Sequence, residues 1–194
     1  MKGCRAITRD EVRSLVALKG VKSRDKALFT LQMNTGLRIG EVLSLSLKDV
    51  CNKFGNVYGS FELKSKNTKT RHGGSITLNS TARKTLQIHC KKMIAQGFNL
   101  DCAVFTGNQG KYGKSICRQR ASQIYKALFA MAEIAGGKLN THSFRKTFIG
   151  NIYDKTKDLL LCKTLLRHAN IASTLSYLES AMSSVRNAVL ELDF

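Results

Sequence analysis

The sequence contains no proline, so no proline-rich linker divides its 194 residues. Nor does it show an internal repeat or a low-complexity tract, and its length suits one domain. Long apolar runs are missing. Short ones such as "LLLC" at 159–162 fall far below the ~20 residues that span a bilayer. The opening "MKGCRAITRDEV" lacks the apolar core of a signal peptide. A membrane protein and a secreted one are both disfavoured, and the cytoplasm is the expected compartment. The six cysteines, Cys4, Cys51, Cys90, Cys102, Cys117 and Cys162, include no C-x-x-C pair. They read as reduced thiols rather than a zinc site or a disulfide framework.

Acidic residues are the other scarcity. Thirteen Asp plus Glu stand against 32 Lys plus Arg, a formal charge of +19 spread along the chain. With 43% hydrophobic residues the chain can build a core, so it is not a disordered basic tail. A folded domain with this excess repels itself unless it meets a polyanion. Nucleic acid is the first candidate and an acidic membrane surface the second.

The pattern is mostly helical. "ITRDEVRSLVALKG" opens with a capping box, Thr8 with Glu11, and stops at Gly20. "SRDKALFTLQMNTG" takes Ser23 as cap and Gly36 as stop, and a short helix follows in "LRIGEVLSLS". "VYGSFEL" at 57–63 and "SITL" at 75–78 alternate around the polar "KSKNTKTRHGG", which predicts a β-hairpin with a basic tip. "STARKTLQIHCKKMIAQG" is amphipathic, capped by Ser80 and closed by Gly97, and another helix runs from about Ser115 to Ala135. From Thr141 onward the sequence predicts several short helices. The fold class is therefore mostly α with a small antiparallel β-sheet.

One glycine-rich stretch is a false lead. "NQGKYGKS" at 108–115 ends like a phosphate-binding P-loop. That loop needs glycine where Asn108 stands, because its backbone must approach phosphates closely, and Gly107 is one residue early. Lys114 instead belongs to a basic turn suited to DNA phosphate.

"KLNTHSFRKTF" sets His142 and Arg145 one helical turn apart behind Thr141, a candidate cap. Like charges on one helical face are unfavourable unless an anion lies across from them. If that anion is a phosphodiester, cleavage without metal needs cations on the non-bridging oxygens, a nucleophile, and an acid for the leaving oxygen. Arginine suits the first task, since its fork grips phosphate and keeps its charge. "NTGLRIGEVLSL" offers Arg38 directly after a glycine-terminated helix. "LLRHANIASTLSYL" offers His168 and Tyr177, and tyrosine can attack phosphorus and conserve the bond energy in a phosphotyrosine. The hairpin offers Lys64, Lys66 and Lys69 as acids.

Together "TGLRIGE", "KNTKTR", "THSFRKTF" and "LLRHANIASTLSYL" resemble the tyrosine recombinases, or phage integrases, whose catalytic domain is related to type IB topoisomerases. The resemblance covers about residues 5–180. It implies that Arg38 and Arg145 clamp the phosphate, with Glu41 in the family's supporting acidic position. Lys66 would protonate the leaving 5′-oxygen, with Lys64 or Lys69 in its place if the hairpin register slips. His142 would assist proton transfer, His168 would hydrogen-bond the phosphate, and Tyr177, nine residues beyond His168, would be the nucleophile. The resemblance implies no metal, no ATP and no other cofactor. Lys64, Lys69, Arg71, Lys114, Arg118 and Arg167 are the expected further contacts to double-stranded DNA.

There are departures. Where the family has Leu-Gly-His, this chain has "LLRH", and Arg167 is expected to point to solvent or to DNA. The proline usual in the second hairpin strand is missing from "GGSITL". No N-terminal core-binding domain is expected ahead of the catalytic one. The chain reads as a single catalytic domain over 1–194, like the fimbrial switch invertases, or as a fragment of a longer integrase. A stripe of Met182, Val185, Val189 and Leu192 marks a terminal helix over about 181–194. It either packs on its own domain or is exchanged between protomers in a tetramer on paired DNA sites. The implied reaction is site-specific strand cleavage and rejoining through a 3′-phosphotyrosyl intermediate, for integration, excision or inversion. A type IB topoisomerase-like relaxing enzyme and a non-catalytic DNA-binding protein are the alternatives.

Overall fold

A computed structural model describes residues 3–65, 73–107, 113–167 and 170–178; the side chains of residues 173 and 176–178 are not among those described. Helix α1 (Arg9–Ala17) starts where the sequence expects: Thr8 accepts from the Glu11 N–H, and the Glu11 carboxylate accepts from the Thr8 N–H at 2.8 Å. It ends before Gly20. Helix α2 (Ser23–Thr35) stops at Gly36, whose φ of 64° closes the helix in the left-handed region. Two short helices follow, α3 (Ile39–Leu43) and α4 (Leu47–Val50).

The hairpin consists of β1 (Ser60–Leu63) and β2 (Gly74–Thr77), antiparallel with Phe61 opposite Ile76. Both are buried, so one face of the ribbon lies on the core. Val57 falls outside the strand and makes an isolated bridge to Cys51. Helix α5 (Ser80–Ala95), α6 (Arg118–Met131), α7 (Thr141–Thr156), α8 (Leu159–Leu166) and α9 (Ile171–Leu178) complete the described chain.

Three expected caps sit one residue off. Asn79, not Ser80, caps α5; Asn140, not Thr141, caps α7; Lys22 precedes α2 without a side-chain cap. Asparagine is at least as good an N-cap as serine or threonine, and in both cases it stands immediately before the residue expected to cap. The expected run of short helices from Thr141 holds for α8 and α9, of eight residues each, but not for α7, which has 16 residues and is held by an interior the local pattern did not reveal.

That interior is aromatic. Phe144 of α7 is fully buried, stacks on Phe29 and Phe129, and meets Tyr125 edge-on at a centroid distance of 4.6 Å. Helix α2 packs against both α5 and α7, and α6 closes on α3 and α7. Phe144 therefore anchors the first turn of α7 to the main core; truncating such a residue typically costs about 3–5 kcal/mol. A second, smaller core of Ile149, Cys162 and Leu166 joins α7 to α8, with Phe148 and Ile152 packed on it. No described helix is long and apolar enough to cross a membrane.

Candidate active site

The turn between α2 and α3 carries Arg38, and buried hydrogen bonds fix it. The Tyr125 hydroxyl donates to Gln32 Oε1 at 2.8 Å, and Gln32 Nε2 donates to the Leu37 carbonyl at 3.0 Å. Gln32 lies fully inside the protein, between Leu31 and Met33 of α2. This positioning pair escaped the sequence reading; nothing local separates Gln32 from the other polar residues of α2, such as Thr30, Asn34 and Thr35. Gly36 has a second role besides closing α2, because a Cβ there would lie 2.4 Å from Phe148 of α7.

Arg38 leaves this turn toward Glu41. Its Nη1 donates to Glu41 Oε1 at 3.0 Å, and its backbone N–H donates to Oε2 at 2.7 Å. Glu41 is only 2% exposed, whereas the Arg38 side chain keeps 21% of its surface open. The guanidinium is thus oriented by a buried carboxylate while part of it stays accessible.

Arg145, one turn into α7, is 0% exposed. Its Nη1 donates to the Gly36 carbonyl and its Nη2 to the Leu166 carbonyl at 2.7 Å. It joins the Arg38 turn to the C-terminus of α8. His142 lies on the exposed side of the same turn of α7. Its pKa is lowered, first by partial desolvation and then by the charges of Arg145, Arg38 and Lys146. The ring is therefore held neutral at neutral pH, able to accept a proton. Lys146 was not singled out in the sequence, although it adjoins Arg145.

Arg167 departs from expectation. Its side chain turns inward, 11% exposed, and its Nη2 meets Glu41 Oε2 at 3.1 Å. Burial pulls its pKa down, Glu41 pulls it up, and Arg38 pulls it down. Its backbone caps α8 at φ 51°, the left-handed conformation that costs a non-glycine residue about 1–2 kcal/mol. The family's glycine fits that backbone without strain, which explains why glycine is usual there. The sequence could reveal the substitution but not the direction of the side chain.

The other candidates divide. Lys64 pairs with Asp49 at 2.7 Å beside the hairpin and is about half exposed; Asp49 is lowered in pKa although its burial alone would raise it. Arg118 opens α6 with its guanidinium over Gly40 of α3, where a Cβ would approach Nη2 to 2.7 Å. Lys114 is exposed. Tyr177 lies in α9, its side chain outside those described. Lys66, Lys69, Arg71, His168 and the segment 181–194 lie outside the described residues. The structure thus brings together Arg38, Glu41, His142, Arg145 and Arg167. Among the described residues no group of three or more His, Cys, Asp or Glu could hold a metal ion.

Known proteins resemble this chain in sequence and in fold. The profile described as "Phage integrase family" matches residues 5–184. "Probable integrase/recombinase YoeC" of Bacillus subtilis is 27% identical over 86% of this chain and 87% of its own length. "Tyrosine recombinase XerC" of Pseudomonas aeruginosa is 31% identical over 88% of this chain and 54% of its own. "Tyrosine recombinase XerD" of Oceanobacillus iheyensis is 28% identical, and this chain spans 56% of it. The chain therefore spans about half the length of the Xer relatives. In fold it is similar to the XerA recombinase, with a TM-score of 0.78 at 19% identity, covering 98% of this chain and 66% of that one. It is also similar to a XerH recombinase bound to its difH substrate after cleavage, with a TM-score of 0.73 at 18% identity, covering 95% of this chain and 52% of that one. With the profile spanning nearly its whole length, the chain belongs to the phage integrase family.

Proposed function

We propose that this chain is the catalytic part of a site-specific recombinase that cuts and rejoins double-stranded DNA. The observation that carries the reading is the convergence of Arg38 and Arg145 on one place beside a neutral His142. Two arginines from separate elements can neutralise the non-bridging oxygens of one phosphodiester as charge develops in the transition state. His142, uncharged, assists proton removal from the attacking hydroxyl.

Tyr177 attacks phosphorus, forming a 3′-phosphotyrosyl bond as the bond to the 5′-oxygen breaks. Lys66 delivers the proton that leaves with the 5′-hydroxyl, and His168 donates a hydrogen bond to the phosphate. The reverse attack by another strand's 5′-hydroxyl completes rejoining, and neither step calls for a metal or ATP. Lys64, Lys69, Arg71, Lys114 and Arg118 contribute phosphate contacts, so binding weakens steeply with salt. Relatives named as recombinases, and a XerH structure bound to its substrate, support the same reading. Strand exchange requires paired sites, for which we propose a homotetramer in which segment 181–194 reaches a neighbouring protomer.

The test is a suicide substrate. Wild type and Tyr177→Phe are mixed with nicked duplex DNA from the flanks of the gene, in chelator, and resolved on a denaturing gel. An adduct in wild type that is absent from Tyr177→Phe is expected. DNA binding by both without any adduct would leave only a DNA-binding protein.

A further inference from the structure

We propose that Arg167 is a positioning residue for strand cleavage, tying the turn that precedes His168 to the Glu41–Arg38 pair; this rests on the recombinase reading above. Two consecutive residues of that turn hold the two phosphate clamps. The Leu166 carbonyl accepts from Arg145 Nη2 at 2.7 Å, and the Arg167 guanidinium meets Glu41, which orients Arg38. The aliphatic part of Arg167 also passes the start of β2, where a Cβ on Gly74 would lie 3.8 Å from its Cδ. One side chain thus contacts the carboxylate behind the first arginine and runs near the base of the hairpin that carries Lys66. His168 is the next residue in the chain, and the helix of Tyr177 begins at Ile171.

Backbone preference does not account for this arginine. Glycine would cap α8 without strain, whereas Arg167 adopts φ 51°. Its Nε is buried with no hydrogen-bond partner among the described residues. A backbone in an unfavourable region and an unsatisfied donor are both tolerated where function requires them. With glycine, the Leu166 carbonyl would still hold Arg145, but nothing from this turn would reach Glu41. Arg38 and the segment bearing His168 could then shift independently, and small misplacements of reacting groups cost large factors in rate.

The experiment compares Arg167→Gly and Arg167→Lys with wild type. It measures single-turnover cleavage of the nicked substrate at saturating DNA, DNA affinity and the thermal midpoint. Arg167→Gly is expected to cleave about tenfold or more slowly. Its DNA affinity should stay within about twofold of wild type, and its midpoint should fall by less than that of Glu41→Gln, because relief of the left-handed strain offsets part of the lost ion pair and Arg38 still faces Glu41. Arg167→Lys, which keeps the charge but not the planar fork, should recover part of the rate. Adding Glu41→Gln to Arg167→Gly should cost less than the product of the two single effects, since both act through one contact. Wild-type cleavage by Arg167→Gly, or a loss wholly explained by DNA affinity or a lower midpoint, overturns the inference alone. Absence of an adduct from wild type overturns the recombinase reading, and the inference with it.

Discussion

Replacing Glu41 by glutamine removes one charge and almost no volume. Glu41 is 2% exposed and accepts three hydrogen bonds: Arg38 Nη1 at 3.0 Å, the Arg38 N–H at 2.7 Å, and Arg167 Nη2 at 3.1 Å. Glutamine keeps one acceptor oxygen and presents an amide that must face a guanidinium. Breaking a buried ion pair from one side costs about 3–5 kcal/mol, because the partner charge is left uncompensated. Here two cations are left, at 21% and 11% exposure, so water relieves part of the penalty and the lower end of that range applies. The expected loss is about 3 kcal/mol. For a chain near 200 residues each kcal/mol moves the midpoint by about 2–4 °C, so it should fall by about 6–12 °C. Circular dichroism melts and urea titrations would read this directly. DNA affinity should not fall, because removing an anion leaves the site more positive. A stability loss under about 1 kcal/mol would mean that the pair behaves like a surface ion pair, and the claim that Glu41 organises two arginines would fail.

Gly36→Ala should lose about 2–4 kcal/mol in urea titrations, combining left-handed strain with crowding. The backbone there has φ 64°, and the new methyl would meet the Phe148 ring; a neutral outcome would show that α7 moves freely. Acid should weaken the N-terminal anchor. Arg5 holds the Glu11 carboxyl down at about 2, so this stability is present above the ordinary carboxylate range and is lost as pH falls from about 4 toward 2. Arg5→Ala should remove about 1 kcal/mol of it, a value discounted for partial exposure and checked by melts at neutral and acid pH. For His142, whose pKa is lowered, cleavage should persist below the usual histidine range as pH falls. Lys146→Met should move that acid limb upward by removing one of the cations responsible, and an unmoved limb would refute the assignment.

What the sequence revealed depended on how locally each feature is specified. The Thr8–Glu11 box and the Gly36 stop are short-range chemistry and were legible. So were the alternating strands, since one face of each packs on the core. The caps slipped by a residue at α5 and α7 because Asn79 and Asn140 each precede a residue that could also cap. The length of α7 was not legible: its stability comes from Phe29, Tyr125 and Phe129, which are distant in the chain. Arg38 and His142 could be selected as chemistry, but not the Tyr125–Gln32–Leu37 bonds that aim the turn. Arg167 failed differently. A long cation in a glycine's place is expected outside, and only the structure supplies the buried carboxylate that draws it in.

The pairing of His142 with Arg145 now has a physical answer. Arg38, Arg145, Arg167 and Lys146 surround this region, and the carboxylate paired there among the described residues is Glu41. With the histidine neutral, four positive charges face one negative among the described residues. In a partly desolvated pocket that excess is unfavourable, and an anion of the right size relieves it. The relief is greatest where negative charge accumulates, on the equatorial oxygens of a phosphorus under attack, because the cations are already fixed and need not reorganise. Protonating His142 would add a further cation and remove the proposed proton acceptor, so the same field that would bind a phosphate disfavours protonation of the ring. On the proposed reading, the arginine spaced one turn from the histidine would do two things: contribute to the clamp, and lower the pKa of the base.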